Sequence, residues 1–334
     1  MSTATVLVDG HRAGPAALLR SALRHDAWPI GLVGFLALLL VFTKLIQPTY
    51  GMTGVQGLAI SVLPLALAAV AQAIDVISGG IDLSIGSMMA LTSVISAALM
   101  KGQSEEFGVA VVLGVLLVGL VIGAINGALV VVTRVPDIVV TLAMSFVWAG
   151  CALLVLKTPG GGSATWLKEL ITGSVGSDWI PRAAVVLIVI VALIWIPVRR
   201  SRLGLSIYAI GSNRLAAFRS GVSVGRTKVL AYALTGLFAA LAGLSLTAST
   251  GIGTPVPGPY TLMSVAAVVL GGVSLAGGRG GVFGPIVAVV ILQLIRTDMT
   301  FLNVNTNLAV VMQGIILIGV VMVGSLVQIR RARA

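Results

Sequence analysis

Long apolar runs constrain this chain more than any other feature. They recur from residue 27 to residue 327 and are separated by short polar or glycine-rich stretches. Several reach the ~20 residues that a helix needs to cross ~30 Å of hydrocarbon. The runs lack the strict alternation of a membrane barrel strand, and backbone groups in lipid must be paired internally. We therefore expect an all-α, polytopic membrane protein.

Composition agrees with a membrane protein, and the apolar runs predict how many times the chain crosses the bilayer. Hydrophobic residues make up 58% of the chain and charged residues only 9%, whereas soluble proteins carry roughly 25% charged residues. The pattern predicts about ten transmembrane helices, at 27–46, 55–77, 82–100, 107–133, 137–157, 180–198, 228–249, 260–276, 281–296 and 306–327. Because ten is even, both termini are expected on one side of the membrane.

The distribution of basic residues predicts which side that is. The loops on the N-terminal side hold most of the 21 basic residues, among them Arg134, Arg279 and the basic residues of the segment 199–228. Positive charge accumulates on cytoplasmic loops, so both termini are predicted to be cytoplasmic. The formal charge of +11 is thereby explained by topology, and we expect no nucleic-acid partner.

The predicted organisation is a single transmembrane domain, 27–327, between two tails. Residues 1–26 form a cytoplasmic tail that is too polar for a signal peptide, and 328–334 form a basic cytoplasmic tail. Both histidines, His11 and His25, lie in the first tail, and Cys151 is the single cysteine. We therefore expect no metal site, no histidine-based catalysis and no cofactor on this chain.

The longest predicted cytoplasmic loop, 199–228, contains a short helix signature. Ser212 or Asn213 can cap a helix that continues through "RLAAFRS", with Leu215 and Phe218 on one face. Gly221 is positioned to end it. A helix of about two turns is marginal alone. It needs a surface to lie against, either the membrane, the other helices of the chain or another protein.

The stretch "ISGGIDLSIGSMMA" interrupts the apolar pattern with two glycines and a charge. Gly79 and Gly80 end the second predicted helix, and Asp82 can cap the third by accepting from the N–H groups of Ser84 or Ile85. Asp82 is expected either to act only as this cap or to line a solute path. Asp75 lies one turn before the break, which by default indicates a polar cavity or an interior partner.

The order of the helices suggests a second break that corresponds to the first. Predicted helices two to five begin outside and seven to ten begin inside, as in inverted repeats. The stretch "STGIGTPVPGPYT", interrupted at Gly251, Gly253 and Pro255, then corresponds to the first break on the opposite side. Such paired interruptions mark a transport path, whereas the alternative is two ordinary turns. Candidate polar residues of a path are Gln72, Asp75, Asp82, Ser84, Asn126 and Thr141.

Four stretches together resemble one family. They are "SGGIDLSIGS" (78–87), "INGALVVVTRVPDIVVTLA" (125–143), "GSNRLAAFRSGV" (211–222) and "AAVVLGGVSLAGGRGGVFG" (266–284). In order and spacing they are similar to ribose/xylose/arabinose-type permeases, the membrane subunits of bacterial ABC importers. The resemblance implies a plasma-membrane permease that pairs with a second copy or a paralogue. Its further partners are cytoplasmic ATPase subunits and an external sugar-binding protein.

The resemblance also implies a role for the short helix in the loop 199–228. In such importers a cytoplasmic helix docks in a cleft of the ATPase, and Asn213, Ala216, Ala217, Ser220 and Gly221 match that pattern. The two alanines are then expected to allow close approach while Leu215 and Phe218 anchor the helix. ATP and Mg are expected on the partner subunits only, because the chain contains no G-x-x-x-x-G-K-[ST] phosphate loop.

Departures from the family pattern leave the solute open. Relatives usually have an acidic pair where this chain has Thr261 and Met263, and an aromatic residue in place of Asp137. These changes fit an altered sugar or one half of a heterodimer. The alternatives are an ABC permease for a nucleoside or a branched-chain amino acid, or an ion-coupled secondary transporter that uses Asp75 and Asp82.

Overall fold

The structure is a computed structural model that describes residues 27–305 and single positions of a further helix between 308 and 322. The tail 1–26, most of the expected tenth span 306–327 and the tail 328–334 lie outside the described residues. Within the described part the chain is helical apart from loops and one short hairpin. Its strands are β1 (Ser174–Val175) and β2 (Ser177–Pro181), which pair antiparallel.

Six of the described helices are long and apolar enough to cross a membrane. In chain order the helices are α1 (Ala27–Ile46), α2 (Met52–Ile77), α3 (Ile85–Met100), α4 (Glu105–Thr133), α5 (Asp137–Val155), α6 (Thr165–Ile171), α7 (Arg182–Arg200), α8 (Arg202–Ser212), α9 (Arg214–Arg219), α10 (Val224–Thr250), α11 (Tyr260–Leu270) and α12 (Phe283–Phe301). The six are α2, α4, α5, α7, α10 and α12. The chain is thus a multi-pass membrane protein.

Most predicted spans agree with observed helices to within a few residues, but α11 is shorter than predicted and α8 was not predicted. The predicted span 260–276 is wrong at its end, because α11 stops at Leu270 after 11 residues. Gly271 follows, and Gly272 has φ 78°, a backbone conformation that ends helices. Eleven residues reach only about 16 Å and cannot cross the hydrocarbon alone. The sequence also missed α8 inside the loop 199–228.

Contacts between helix ends define two ends of the bundle. At the first, which we call the basic end, the indole of Trp28 donates to the carbonyl of Leu270 at 2.8 Å; Arg134 and the segment 199–228 lie at this end. At the second, the opposite end, the rings of Tyr50 and Phe301 lie 6.0 Å apart. There the side chain of Gln56 donates to the carbonyl of Asp178 in the hairpin at 3.0 Å.

Helix α10 forms the centre of the bundle and packs against α2, α3 and α4. Its contact with α4 depends on glycines spaced four residues apart, Gly119, Gly123 and Gly127, which place the two backbones in direct contact. A Cβ atom at Gly123 would collide with the carbonyl oxygen of Tyr232 and lie 2.9 Å from the Cα of Gly236. Small residues at such spacing let membrane helices approach closely.

Replacement of Gly123 by alanine is expected to destabilise the protein because the added methyl group must separate α4 from α10. Overpacking of this kind costs about 1–3 kcal/mol. Gly114→Ala in the same helix is the matched control, since nothing lies within 4 Å of its Cβ position and alanine favours the helix. Thermal unfolding in detergent measures both. Equal midpoints for the two variants would contradict the close contact.

Candidate functional site

The first break, residues 78–84, turns back toward the interior of the bundle after the end of α2 and does not run across the basic end. Helix α2 ends at Ile77, and Gly79 has φ 80°. The side-chain amide of Gln72, oriented to satisfy both of its groups, donates to the Asp82 carbonyl at 2.9 Å and accepts from the Asp82 N–H at 3.2 Å. Gln72 lies five residues before the end of α2, about 7 Å inward. The chain therefore re-enters the bundle before α3 begins.

A hydrogen-bonded row of side chains continues inward from Asp82. Its Oδ1 accepts from the backbone N–H of Ser84 at 2.7 Å and from the Ser84 hydroxyl at 2.6 Å. The amide of Asn126 donates to the Ser84 hydroxyl oxygen at 2.8 Å and accepts from the indole of Trp148 at 3.1 Å. Asp82 thus accepts at the start of α3 as the sequence predicts, and the row joins α3 to α4 and α5.

Thr141 of α5 forms hydrogen bonds with backbone groups on the other side of the first break. Its hydroxyl oxygen accepts from the N–H of Leu83 at 3.0 Å, and the hydroxyl lies 2.9 Å from the Asp137 carbonyl and 3.2 Å from the Ile81 carbonyl. The break is therefore held between α2 and α5 through hydrogen bonds to its own backbone.

All six polar residues predicted to line a path lie close to the first break and are completely buried; they are Gln72, Asp75, Asp82, Ser84, Asn126 and Thr141. The structure therefore brings together residues that are up to 69 positions apart in the sequence, from 72 to 141. Five of the six bond to the chain itself. Their contact with a solute stays a prediction.

Asp75 is the exception among the six. Both of its carboxylate oxygens are buried and have no hydrogen-bond partner in the described structure, as is also true of Oδ2 of Asp82. Asp75 interacts electrostatically with Asp82, Lys228 and Asp137, and the hydroxyl of Thr235 next to it donates to the Ala71 carbonyl at 3.2 Å and not to the carboxyl group. The structure therefore shows no hydrogen-bonding partner for the Asp75 carboxyl group, and Lys228, the cation that acts on it, is paired with Asp137.

The second break, 251–259, follows α10 at the opposite end. Gly251 has φ 76° and caps α10, and Gly253 pairs with Gly160 through backbone hydrogen bonds of 3.0 and 2.8 Å. A Cβ atom at Gly253 would lie 2.8 Å from the Cα of Val94 in α3. Pro255 is buried. The segment therefore begins at the outer part of α3 and passes inward along it.

The two breaks end where the first turns of α3 and α11 meet. The N–H of Gly86 in α3 donates to the hydroxyl oxygen of Thr261 in α11 at 2.9 Å. Ser84 bonds to Asn126, which lies seven residues, or about 10 Å, from the end of α4. Two helix N-termini, which carry positive partial charge, therefore meet between the two ends of the bundle, where Pro259 and Leu262 at the start of α11 are exposed.

Helix α9 lies at the basic end and has defined caps at both ends. The side chain of Asn213 accepts from the N–H of Ala216 at 2.9 Å. At the other end, Gly221 has φ 83°, the N–H of Gly221 donates to Phe218 at 3.0 Å, and that of Val222 donates to Ala217 at 3.0 Å. This is a Schellman ending, so local sequence fixes the length of the helix.

The exposed face of α9 differs from the predicted one at a single position. Leu215 is 58% exposed and Phe218 67% exposed, and Asn213, Ala216, Ser220 and Gly221 are exposed as well. Ala217, expected at a partner surface, is instead only 5% exposed and packs against the chain itself. In a six-residue helix that must lie on its own protein, one position faces inward, and the small Ala217 occupies it.

Sequence reasoning missed the residues that complete the site. Lys228 forms an ion pair with Asp137 at 2.7 Å, and the Tyr232 hydroxyl donates to the same carboxylate oxygen at 3.0 Å. The lysine at the start of an apolar helix was a sequence signal for this ion pair. No sequence signal identified Trp148 or Thr261 as parts of the site. Among the described residues, no three His, Cys, Asp or Glu side chains are grouped to hold a metal ion.

Replacement of Asp75 by asparagine is expected to raise the thermal midpoint of the purified protein at neutral pH, because a neutral amide of the same shape costs less to bury than an unpaired carboxylate. The shift should be about 2 °C or more, which corresponds to roughly 1 kcal/mol. Asp82→Ala should lower the midpoint, because it removes the two hydrogen bonds that Asp82 accepts from Ser84, each worth about 0.5–1.5 kcal/mol. A lower midpoint for Asp75→Asn would show that the carboxylate has a favourable partner.

Comparison with known proteins places the chain in a protein family. Residues 54–321 match the family described as branched-chain amino acid transport system / permease component. The chain is 31% identical over 264 residues to the ribose import permease protein of Escherichia coli (strain K12), with 77% of this chain and 81% of the relative covered. It is 30% identical over 255 residues to the D-allose transport system permease protein of the same strain (75% and 77% covered). It is 32% identical over 267 residues to the galactose/methyl galactoside import permease protein of Haemophilus influenzae (75% and 80% covered). No solved structure matches the chain significantly. The chain therefore belongs to this family of transport-system permease components.

Proposed function

We propose that this protein is the membrane-spanning subunit of a bacterial ABC importer and forms the path for a sugar. The sugar is delivered by an external binding protein, and separate ATPase subunits hydrolyse the ATP. The similar proteins named above import ribose, D-allose and galactose, which favours a sugar over an amino acid or nucleoside. The protein lies in the plasma membrane and pairs with a second copy or a paralogue. It is a transport subunit and not an enzyme.

The exposed helix α9 carries this proposal. Two large apolar side chains, Leu215 and Phe218, project from a short helix at the basic end, where basic residues surround it. Large apolar side chains clustered on an exposed protrusion are typical of a surface that another protein covers. The chain has no phosphate loop of its own, so the covering protein is the ATPase.

The path itself is proposed to run past the meeting point of α3 and α11. Two helix N-termini and the hydroxyl of Thr261 lie there, and the N–H groups at a helix start that lack a partner within the helix are satisfied by side chains, water or ligands. In the described state the polar residues of the first break are buried. Transport therefore requires the two breaks to separate during the cycle.

Truncation of the α9 anchors is expected to abolish ATPase binding without unfolding the permease. In Leu215→Ala/Phe218→Ala both removed side chains are exposed, so folding and membrane insertion should be unchanged. Loss of central apolar anchors costs 2 kcal/mol or more, or about a 30-fold loss of affinity. Copurification of the ATPase subunits from membranes measures this loss, and uptake should fall with it.

Leu205→Ala in α8 is the matched control, because Leu205 is also 67% exposed at the basic end but lies outside α9. It should copurify with normal amounts of ATPase. If the α9 double variant also retains normal ATPase and normal uptake, the docking role of this helix is wrong.

The orientation with both termini in the cytoplasm is tested by labelling. In a Cys151→Ser background, cysteine at Ser177 in the hairpin should react with an impermeant thiol reagent added outside intact cells. Cysteine at Ser212, exposed at the basic end, should react only after the membrane is opened. The excess of basic residues at that end is the reason for this expectation. Labelling of both positions from the same side would exclude the orientation.

Ion-coupled secondary transport is the second candidate function. The observation in its favour is the pair Asp75 and Asp82, which together have three buried carboxylate oxygens without hydrogen-bond partners. Ionisable residues of this kind inside a membrane protein often mark ion pathways. Uptake that persists in cells lacking the ATPase, and that collapses with the ion gradient, would favour this function over the first.

A further inference from the structure

The chain on the N-terminal side of α9 contacts the last turn of α2. Gly211, two residues before the cap of α9, is packed so tightly that a Cβ atom there would collide with the carbonyl oxygen of Ile77. The same atom would lie 2.6 Å from the N–H nitrogen of Gly278, which donates to Ile77 at 2.9 Å. The backbone before α9 therefore lies directly on the end of α2.

The chain on the C-terminal side of α9 reaches the same turn. Lys228, in the first turns of α10, donates to the Ser78 hydroxyl oxygen at 3.2 Å and to the Ser78 carbonyl at 3.4 Å, in addition to its ion pair with Asp137. Ser78 is the C-cap of α2. Both flanks of α9 thus converge on Ile77 and Ser78.

The ion pair also occupies the space beside Gly80. A Cβ atom at Gly80 would collide with the carboxylate of Asp137 and lie 2.7 Å from the ammonium nitrogen of Lys228. A side chain at position 80 would therefore require the ends of the Asp137 and Lys228 side chains to shift. A movement of Lys228 must therefore move either Asp137 or the first break itself, since packed groups of this kind do not deform continuously.

We propose that Lys228, held by Asp137, is a positioning residue that transmits a displacement of α9 to the first break. This inference rests on the proposed docking of the ATPase on α9. When the ATPase moves α9, Lys228 pulls on Ser78, and the segment 78–84 shifts relative to α11. The ion pair makes the connection stiff, because separation of the partners leaves a largely buried charge without its counter-charge.

The test measures the first break directly and does not depend on the identity of the sugar. Ile81 is half-buried in the first break, and cysteine is placed there in the Cys151→Ser background. The complete complex with ATPase subunits is purified, and the rate of maleimide labelling is compared with and without ATP plus vanadate. In the otherwise unchanged complex the rate should change at least threefold. In Lys228→Met the complex should contain normal amounts of ATPase, and the change should be lost.

Arg226→Met is the matched control, since Arg226 is an exposed basic residue in the same turn of α10; it should retain the ATP-dependent change. Asp137→Asn provides a second variant in case Lys228→Met does not fold, and it should also lose the change. The double variant Lys228→Met/Asp137→Asn should lose no more of the ATP-dependent change in labelling rate than Lys228→Met alone, because the two residues act as one unit.

Three results would overturn the proposal. These are no ATP-dependent change in the unmodified background, a normal change in Lys228→Met, or loss of the ATPase from the Lys228→Met complex, which would assign the residue to docking. Failure of the docking proposal is recognised separately, because the ATPase then still copurifies with the Leu215→Ala/Phe218→Ala variant.

Discussion

The first break depends on one requirement, that every backbone group released by an interrupted helix must find a partner where water is absent. The Asp82 N–H and carbonyl bond to Gln72, the Leu83 N–H and the Ile81 carbonyl bond to Thr141, and the Gly86 N–H bonds to Thr261. Helices α2 and α5 therefore each supply one side chain to a segment that has no regular structure, and α11 supplies one to the first turn of α3. An unpaired amide in such a place costs about 1–3 kcal/mol, so these partners are a condition for the break to exist.

This requirement changes the interpretation of polar residues in the apolar helices. From the sequence, Gln72, Asn126 and Thr141 are candidate polar residues of a solute path. In the structure their hydrogen bonds go to the chain itself. A polar side chain in a membrane helix is therefore explained by a backbone break as well as by a transported molecule. Only spatial contacts distinguish the two, since the partners lie on different helices.

Local signals were predicted well from the sequence, and long-range contacts were not. The lengths of the apolar runs predicted the bounds of α1 and α5 nearly to the residue, and the capping residues Asn213 and Gly221 predicted the bounds of α9. The prediction overextended α11, because the apolar pattern continues past Gly271 while the backbone does not. The inward position of Ala217 and the ion pair between Lys228 and Asp137 follow from tertiary packing, which no local pattern contains.

Asp75 differs from every other polar residue around the first break because the architecture gives it no structural task. Gln72, one turn earlier, closes the break, and Ser78, one turn later, donates its hydroxyl hydrogen to the Asp75 carbonyl at 2.8 Å. The carboxyl group between them is buried and accepts no hydrogen bond in the described structure, because the Thr235 hydroxyl beside it donates to the Ala71 carbonyl at 3.2 Å instead. Gln72 and Ser78 therefore have partners that their positions explain, whereas the carboxyl group of Asp75, like that of Asp298 in α12, accepts no hydrogen bond in the described structure. The proposed movement of the first break would therefore break no hydrogen bond of the Asp75 carboxyl group, whereas it would break those that Gln72 and Thr141 form with the backbone of the break.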